Sequence, residues 1–134
     1  MTKIVDIEGI GEKYGQKMMD AGVRTVEALL KQGATKKGRK DLAEKTGFSE
    51  SQLLSWVNFA DMYRIKGIGS EYSQLLEIAG VDSVPELAQR KPENLHKKMD
   101  EVNAEKKLVR QLPSLKMVET WVMQAKSLPK VVTH

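Results

Sequence analysis

The sequence predicts an all-α protein in which two tandem repeats pack as one compact helical unit. Three observations support this fold class. A segment that begins at Ile7 recurs without a gap at Ile65, 58 residues later. Apolar residues follow helical spacing, and hardly any stretch alternates apolar and polar residues over the length of a strand. The 134 residues, of which 40% are hydrophobic and 30% charged, have the length and composition of a small globular protein.

The repeat is visible directly in the letters of the sequence. The two copies are IEGIGEKYGQKMMDAGVRTVEALL and IKGIGSEYSQLLEIAGVDSVPELA, and they are identical at 11 of 24 positions. Agreement of this extent indicates that each copy forms the same supersecondary unit. We therefore predict two domains, residues 1–64 and residues 65–134.

Each copy begins with a glycine turn, I-x-G-I-G, that leads into a helix. Apolar residues at helical spacing follow the turn, and we expect Tyr14 and Tyr72 to lie in the core. Gly22 and Gly80 stand where this helix should end in a left-handed cap, which glycine adopts without steric cost. The pattern predicts a helix of roughly three turns in each copy.

The later helices are marked by capping residues. Thr25 and Ser83 are placed to cap the next short helix of each copy. Ser49 and Ser114 are placed to open the long last helix of each half. The apolar faces of these two helices are predicted to hold Leu53, Trp56, Val57 and Ala60 in the first and Leu115, Val118, Val122 and Ala125 in the second.

Composition excludes several classes of function. Without any cysteine the chain can form neither a disulfide nor a thiolate metal site, and we expect neither a metal nor a cofactor. No apolar run reaches the roughly 20 residues of a membrane span, and no signal-peptide pattern is present, so we expect a cytoplasmic protein without a membrane partner. The net charge of +4, from 22 basic and 18 acidic residues, favours polyanions only weakly.

The glycine turns are the candidate anion sites. A helix that begins directly after such a turn presents unpaired backbone N–H groups and the positive end of its dipole. Glycine also lets a phosphate approach the main chain closely. Contacts of this kind read no base, so binding to a nucleic acid would depend on phosphate position and on salt rather than on sequence.

These residues resemble the helix-hairpin-helix motif of DNA-repair, recombination and topoisomerase proteins, in which h-x-G-h-G precedes a helix and A-G-h-x-T/S-h-x-x-L follows. The resemblance implies two tandem helix-hairpin-helix-type repeats, with phosphate contacts from the G-h-G backbone and from a lysine two residues beyond the second glycine. Lys13 matches that lysine, whereas Glu71 stands at its place in the second copy. Nearly the whole chain also resembles an uncharacterised bacterial two-repeat family described as a domain of unknown function, which implies an architecture and no activity.

The predicted partner is duplex DNA, bound without sequence preference through three groups of residues. The first turn contributes Gly9, Ile10, Gly11 and Lys13. The second turn contributes Lys66, Gly67, Ile68 and Gly69. A basic cluster, expected in a loop that enters a helix, contributes Lys36, Lys37, Arg39 and Lys40. The sequence leaves the oligomeric state open.

The alternative is a protein-interaction or scaffold module with the same helical fold. The near balance of charges favours it, as do the acidic residues near the turns, among them Glu12 and Glu71. One fold hosts many functions, so the resemblance does not decide between a DNA partner and a protein partner.

We do not expect an enzyme. Some DNA glycosylases carry a nucleophilic lysine at the position that Lys13 matches, but their downstream aspartate and base pocket have no recognisable counterpart in this chain. His96 and His134 lack a catalytic or metal-binding partner at a suitable spacing, and we expect both at the surface. Trp56 and Trp121 lie on apolar helix faces and are predicted to pack in the core rather than to stack on bases.

Overall fold

A computed structural model describes residues 3–7 and 10–133, and this part of the chain forms eight α-helices and no β-strand. After a short 3₁₀ helix at Ile4–Asp6, the helices are α1 (Gly11–Asp20), α2 (Val26–Gly33), α3 (Lys36–Thr46), α4 (Glu50–Met62), α5 (Ser70–Ile78), α6 (Val84–Ala88), α7 (Pro92–Lys106) and α8 (Leu115–Ser127). The predicted all-α class is confirmed. Among the described residues, none of the helices has the length and apolar character needed to cross a bilayer.

The chain divides into two compact units. Unit 1 comprises residues 1–61 and 130–134, and unit 2 comprises residues 62–129. We predicted that the second repeat runs to the end of the chain, whereas residues 130–133 lie with unit 1. Hydrogen bonds explain this placement, because the backbone N–H and the hydroxyl of Thr133 both donate to the carbonyl oxygen of Ala34, at 2.8 and 3.2 Å. Val132, beside it, is buried.

Local capping determines where the helices of unit 1 begin and end. Beyond the end of α1, Gly22 has φ +92°, the left-handed conformation expected there. Thr25 caps α2 as predicted, since its hydroxyl oxygen accepts a hydrogen bond from the N–H of Ala28 at 3.1 Å. Ser49 caps α4 in the same way, accepting from the N–H of Gln52 at 3.0 Å.

Three aromatic rings pack together in unit 1. The ring centroids of Phe48 and Trp56 lie 5.0 Å apart, and Tyr14 lies 5.3 Å from Phe48 and 5.9 Å from Trp56. Trp56 is buried as predicted, whereas Tyr14 remains 37% exposed. The expectation that Tyr14 is a core residue is therefore corrected. Its ring covers the buried pair from the solvent side.

Unit 2 repeats these capping features on its own elements. Gly80 follows α5 with φ +102°, and Ser83 caps α6 by accepting from the N–H of Glu86 at 3.3 Å. Ser114 caps α8 as predicted, accepting from the N–H of Met117 at 3.1 Å. The Arg90 guanidinium donates to the Glu86 carboxylate at 3.3 Å.

Helix α8 provides much of the apolar face in unit 2 and packs against α6 and α7. Its buried side chains are Val118, Trp121, Val122 and Ala125. Leu115, which we predicted on the same buried face, is 37% exposed because it is the first residue of the helix, next to the exposed cap Ser114. Trp121 is 2% exposed and packs against Tyr72, with ring centroids 5.3 Å apart.

Candidate nucleic-acid interface

The first glycine turn leads into α1. Gly9 lies outside the described residues. Ile10 is 4% exposed, and its backbone N–H donates to the carbonyl oxygen of Ile7 at 3.1 Å. Gly11 is exposed and begins the helix, and the side chain of Lys13 is exposed on its first turn. The described part of this turn therefore presents the backbone of Gly11 and the side chain of Lys13 to solvent.

The second glycine turn leads into α5 and is described completely. Ile68 is 5% exposed, and its N–H donates to the carbonyl oxygen of Ile65 at 3.2 Å. Gly67 and Gly69 are exposed on either side of it. Within the described part of the chain, the N–H groups of these two glycines meet no hydrogen-bond acceptor. They are the backbone donors that the turn offers to a ligand.

Ile10 and Ile68, both predicted as DNA contacts, differ from the glycines beside them. Their side chains are buried, and their N–H groups already donate within the protein. A phosphate would have to break those hydrogen bonds in order to replace them, which offers no net gain. The two isoleucines hold the turns in place, and the glycines carry the exposed backbone.

The backbone of Lys66 is hydrogen-bonded within the protein, so only its side chain is available to a ligand. Its backbone N–H donates to Oε1 of Gln124 at 3.0 Å, and its carbonyl oxygen accepts from Nε2 of the same side chain at 3.5 Å. The amide of Gln124 therefore fastens the turn to α8. The ammonium group of Lys66 is exposed, and so is Glu71, which places a negative charge in the first turn of α5.

The basic cluster lies on a helix and not in a loop, which corrects our prediction. Helix α3 starts at Lys36, because the hydroxyl oxygen of Thr35 accepts from the N–H of Gly38 at 3.0 Å. Lys36, Lys37 and Lys40 are exposed on its first turns. The first turn of α3 holds no acidic residue to offset these lysines.

Arg39, which we predicted as a phosphate contact, is buried and hydrogen-bonded within unit 1. It is 3% exposed, and its guanidinium donates to the carbonyl oxygens of Gly33 at 2.8 Å, Ala34 at 3.2 Å and Thr133 at 2.6 Å. Burial lowers the pKa of the Arg39 guanidinium below its usual value, and the nearby charge of Glu50 acts in the opposite direction. These bonds connect the end of α2 to the chain terminus.

Sequence reasoning missed two residues beside the second turn. Gln124 fastens the turn, and Lys116 lines a groove next to it. Both lie on α8, far from the turn along the chain. The repeat gives no signal for Gln124, because Phe59 stands at the matching place in the first half. Only the folded arrangement brings these side chains to the turn.

His96 is half-buried rather than a free surface residue. Its Nε2 atom lies 2.9 Å from the carbonyl oxygen of Pro113, a hydrogen bond that joins α7 to the segment before α8. His134 lies outside the described residues. The structure therefore gives His96 a structural partner within unit 2.

Comparison with known proteins gives one match. A family model for a domain of unknown function (DUF4332) matches residues 8–128, which is most of the chain. Neither the curated proteins nor the solved structures contain a match to the chain.

Proposed function

The chain belongs to the DUF4332 family, and from the geometry of its turns we propose that it binds duplex DNA without sequence preference. In this proposal two tandem helix-hairpin-helix-type repeats contact backbone phosphates. The contacts are the exposed glycine backbones of both turns together with Lys13 and Lys66. The lysines at the start of α3 add a further charged surface.

One observation carries the proposal. Gly67 and Gly69 expose two backbone N–H groups that meet no acceptor in the described part of the chain, directly before the start of α5. Backbone N–H groups at a helix start are well suited to phosphate oxygens, because they add to the positive end of the helix dipole. A glycine places no side chain between the amide and the ligand.

The exposed side chains favour contact with phosphates over contact with bases. Lys36, Lys37 and Lys40 project from α3 and offer charge without a fixed hydrogen-bonding pattern. Trp56 and Trp121 are buried, so neither offers a flat exposed surface for base stacking. Affinity should therefore be modest, on the order of 10⁻⁴ to 10⁻⁶ M at physiological salt.

The test is a titration of the full chain with a fluorescently labelled duplex at several salt concentrations. Lys13→Glu should weaken binding strongly and reduce the steepness of its salt dependence. Lys31→Glu is the matched control, because Lys31 is exposed in the same unit and its replacement changes the net charge equally. Absence of a complex even at low salt, or equal losses in both variants, would refute the proposal.

A protein-binding role is the second candidate, and the acidic residues favour it. Glu12 and Glu71 are both exposed in the first turns that follow the glycines, where they would repel a phosphate. If this role is the correct one, Lys13→Glu leaves the complex with the protein partner intact. The same variant therefore separates the two functions.

A further inference from the structure

A groove of about 320 Å³ lies in unit 2 beside the second glycine turn. We call it the α8 groove. Its lining residues are Lys66, Gly67, Ser114, Lys116, Met117, Thr120 and Trp121. The volume falls at the lower end of the range for small-molecule sites.

The charged side chains described at the α8 groove are positive. Among the residues that the structure describes, Lys66 and Lys116 are the ionisable ones that line it, and none of the described carboxylates does. The Ser114 hydroxyl oxygen accepts from the N–H of Met117, which leaves its own hydrogen free to donate. Most of the remaining wall is carbon, including the side chain of Met117. Such a lining suits an anion attached to an apolar body.

A donor on a mostly buried side chain lies at the groove wall. Trp121 is 2% exposed as a residue, but its indole N–H reaches solvent at this wall and meets no acceptor among the residues that the structure describes. Gly67 is the reason that this atom is not covered, since a Cβ at that position would lie only 2.9 Å from Nε1 of Trp121. An oxygen atom of a ligand in the groove would accept from this N–H in place of water.

We infer that the α8 groove binds a small phosphomonoester. The phosphate oxygens accept from the indole N–H of Trp121, from the backbone N–H of Gly67 and from the ammonium groups of Lys66 and Lys116. The organic part packs against Met117. This ligand goes beyond the proposed DNA contacts, because a free phosphomonoester can bind in unit 2 whether or not the chain binds a duplex.

The first experiment follows the indole N–H signals of the full-length, ¹⁵N-labelled protein by NMR. The probes are adenosine 5′-monophosphate, inorganic phosphate and adenosine, and Trp121→Phe assigns the two indole signals. The monophosphate should shift the Trp121 signal saturably, phosphate alone should bind more weakly, and adenosine and the Trp56 signal should show no change. An unmoved Trp121 signal at millimolar monophosphate would overturn the inference.

The second experiment tests the lysine with conservative exposed variants, which should leave the fold intact. Lys116→Gln should weaken monophosphate binding about tenfold, as expected for loss of a charge-assisted hydrogen bond. Lys126→Gln is the control, because Lys126 is exposed on the same helix but does not line the groove. Equal weakening by both variants would indicate general charge attraction and overturn the site.

A third comparison identifies the source of the phosphomonoester. A 5′-phosphorylated single strand and its unphosphorylated counterpart are titrated alongside the free nucleotide. Preference for the phosphorylated strand over the nucleotide indicates a strand end, and the reverse indicates a free metabolite; either preference supports a phosphomonoester site. Lys13→Glu should leave nucleotide binding unchanged, so failure of the DNA proposal and failure of this one can be distinguished.

Discussion

Single residues of this protein were predictable wherever their partners lie nearby in the chain. Thr25 and Ser83 cap helices through an N–H three residues ahead, and Gly22 and Gly80 take the left-handed conformation that ends the preceding helix. Such roles follow from short-range geometry, so residue type and spacing suffice to predict them.

Arg39 shows what short-range reasoning cannot supply. Its position in a basic run suggested a surface contact, but one of its acceptors, the carbonyl oxygen of Thr133, lies 94 residues away in the chain. Nothing in the run itself distinguishes a buried arginine from the exposed lysines beside it. The distant acceptor, the carbonyl oxygen of Thr133, determines that Arg39 is buried, and the sequence does not reveal this contact.

Replacing Arg39 should therefore affect stability and not DNA binding. Arg39→Met removes the donors of three buried or half-buried hydrogen bonds and leaves their carbonyl acceptors unpaired, so we expect the free energy of unfolding to fall by about 2–4 kcal/mol. Denaturant titration followed by circular dichroism measures this loss. Lys40→Met, at an exposed neighbour, is the control and should change stability little.

Duplex binding by the Arg39→Met protein, measured where it remains folded, should equal that of the unaltered chain. Loss of affinity without loss of stability would contradict the structural role. It would return Arg39 to the set of phosphate contacts.

At the scale of elements, the glycine turns and capping residues predicted the starts of all helices but α3 and α7, and α3 shows why. The stretch from Gly33 to Arg39 is rich in small and basic residues, which favoured a loop. A single side-chain cap at Thr35 is enough to start the helix at Lys36. The lysines consequently occupy a helix N-terminus, where the dipole disfavours positive charge.

This placement predicts opposite effects on stability and on binding. Lys37→Glu puts a negative charge in the first turn of α3, which should raise the free energy of unfolding by about 0.5 kcal/mol. The same change should weaken duplex binding, because it replaces an attractive charge by a repulsive one. Denaturation and a duplex titration at low salt measure the two effects separately.

Lys45→Glu provides the matched control within the same helix. Lys45 lies in the last turn of α3, so the substitution alters the charge equally but should destabilise the helix. A Lys37→Glu protein that is less stable, or that binds duplex as tightly as before, would show that the α3 surface has been misassigned.

At the scale of the whole molecule, the sequence predicted the all-α class because helical periodicity recurs along the chain and each half carries one copy of the repeat. It did not predict that residues 130–133 lie with unit 1, since the hydrogen bonds of Thr133 to Ala34 join positions 99 residues apart. The candidate site shows the same difference between local and long-range contacts. The glycines and lysines of the turns could be predicted from the sequence, whereas Gln124 and Lys116 were identified only in the folded unit 2.

The balance of charges makes a last prediction possible, because a formal net charge of only +4 cannot by itself hold a polyanion tightly. Each proposed lysine–phosphate contact should contribute about −0.9 to the slope of log K against log salt concentration. If Lys13 and Lys66 act independently, the double variant Lys13→Glu, Lys66→Glu should make this slope less negative by about two. The losses of binding free energy from the two substitutions should be additive.

The control for this double variant carries Lys31→Glu and Lys126→Glu, one exposed lysine from each unit. Both double variants bring the formal net charge from +4 to zero, since each Lys→Glu substitution lowers the net charge by two. Net charge alone therefore predicts the same loss of duplex affinity for the two proteins, whereas contacts at the glycine turns predict a steep loss only for the first. Equal salt slopes would mean that the duplex is attracted by the overall charge, and that the exposed N–H groups of Gly67 and Gly69 serve some other ligand.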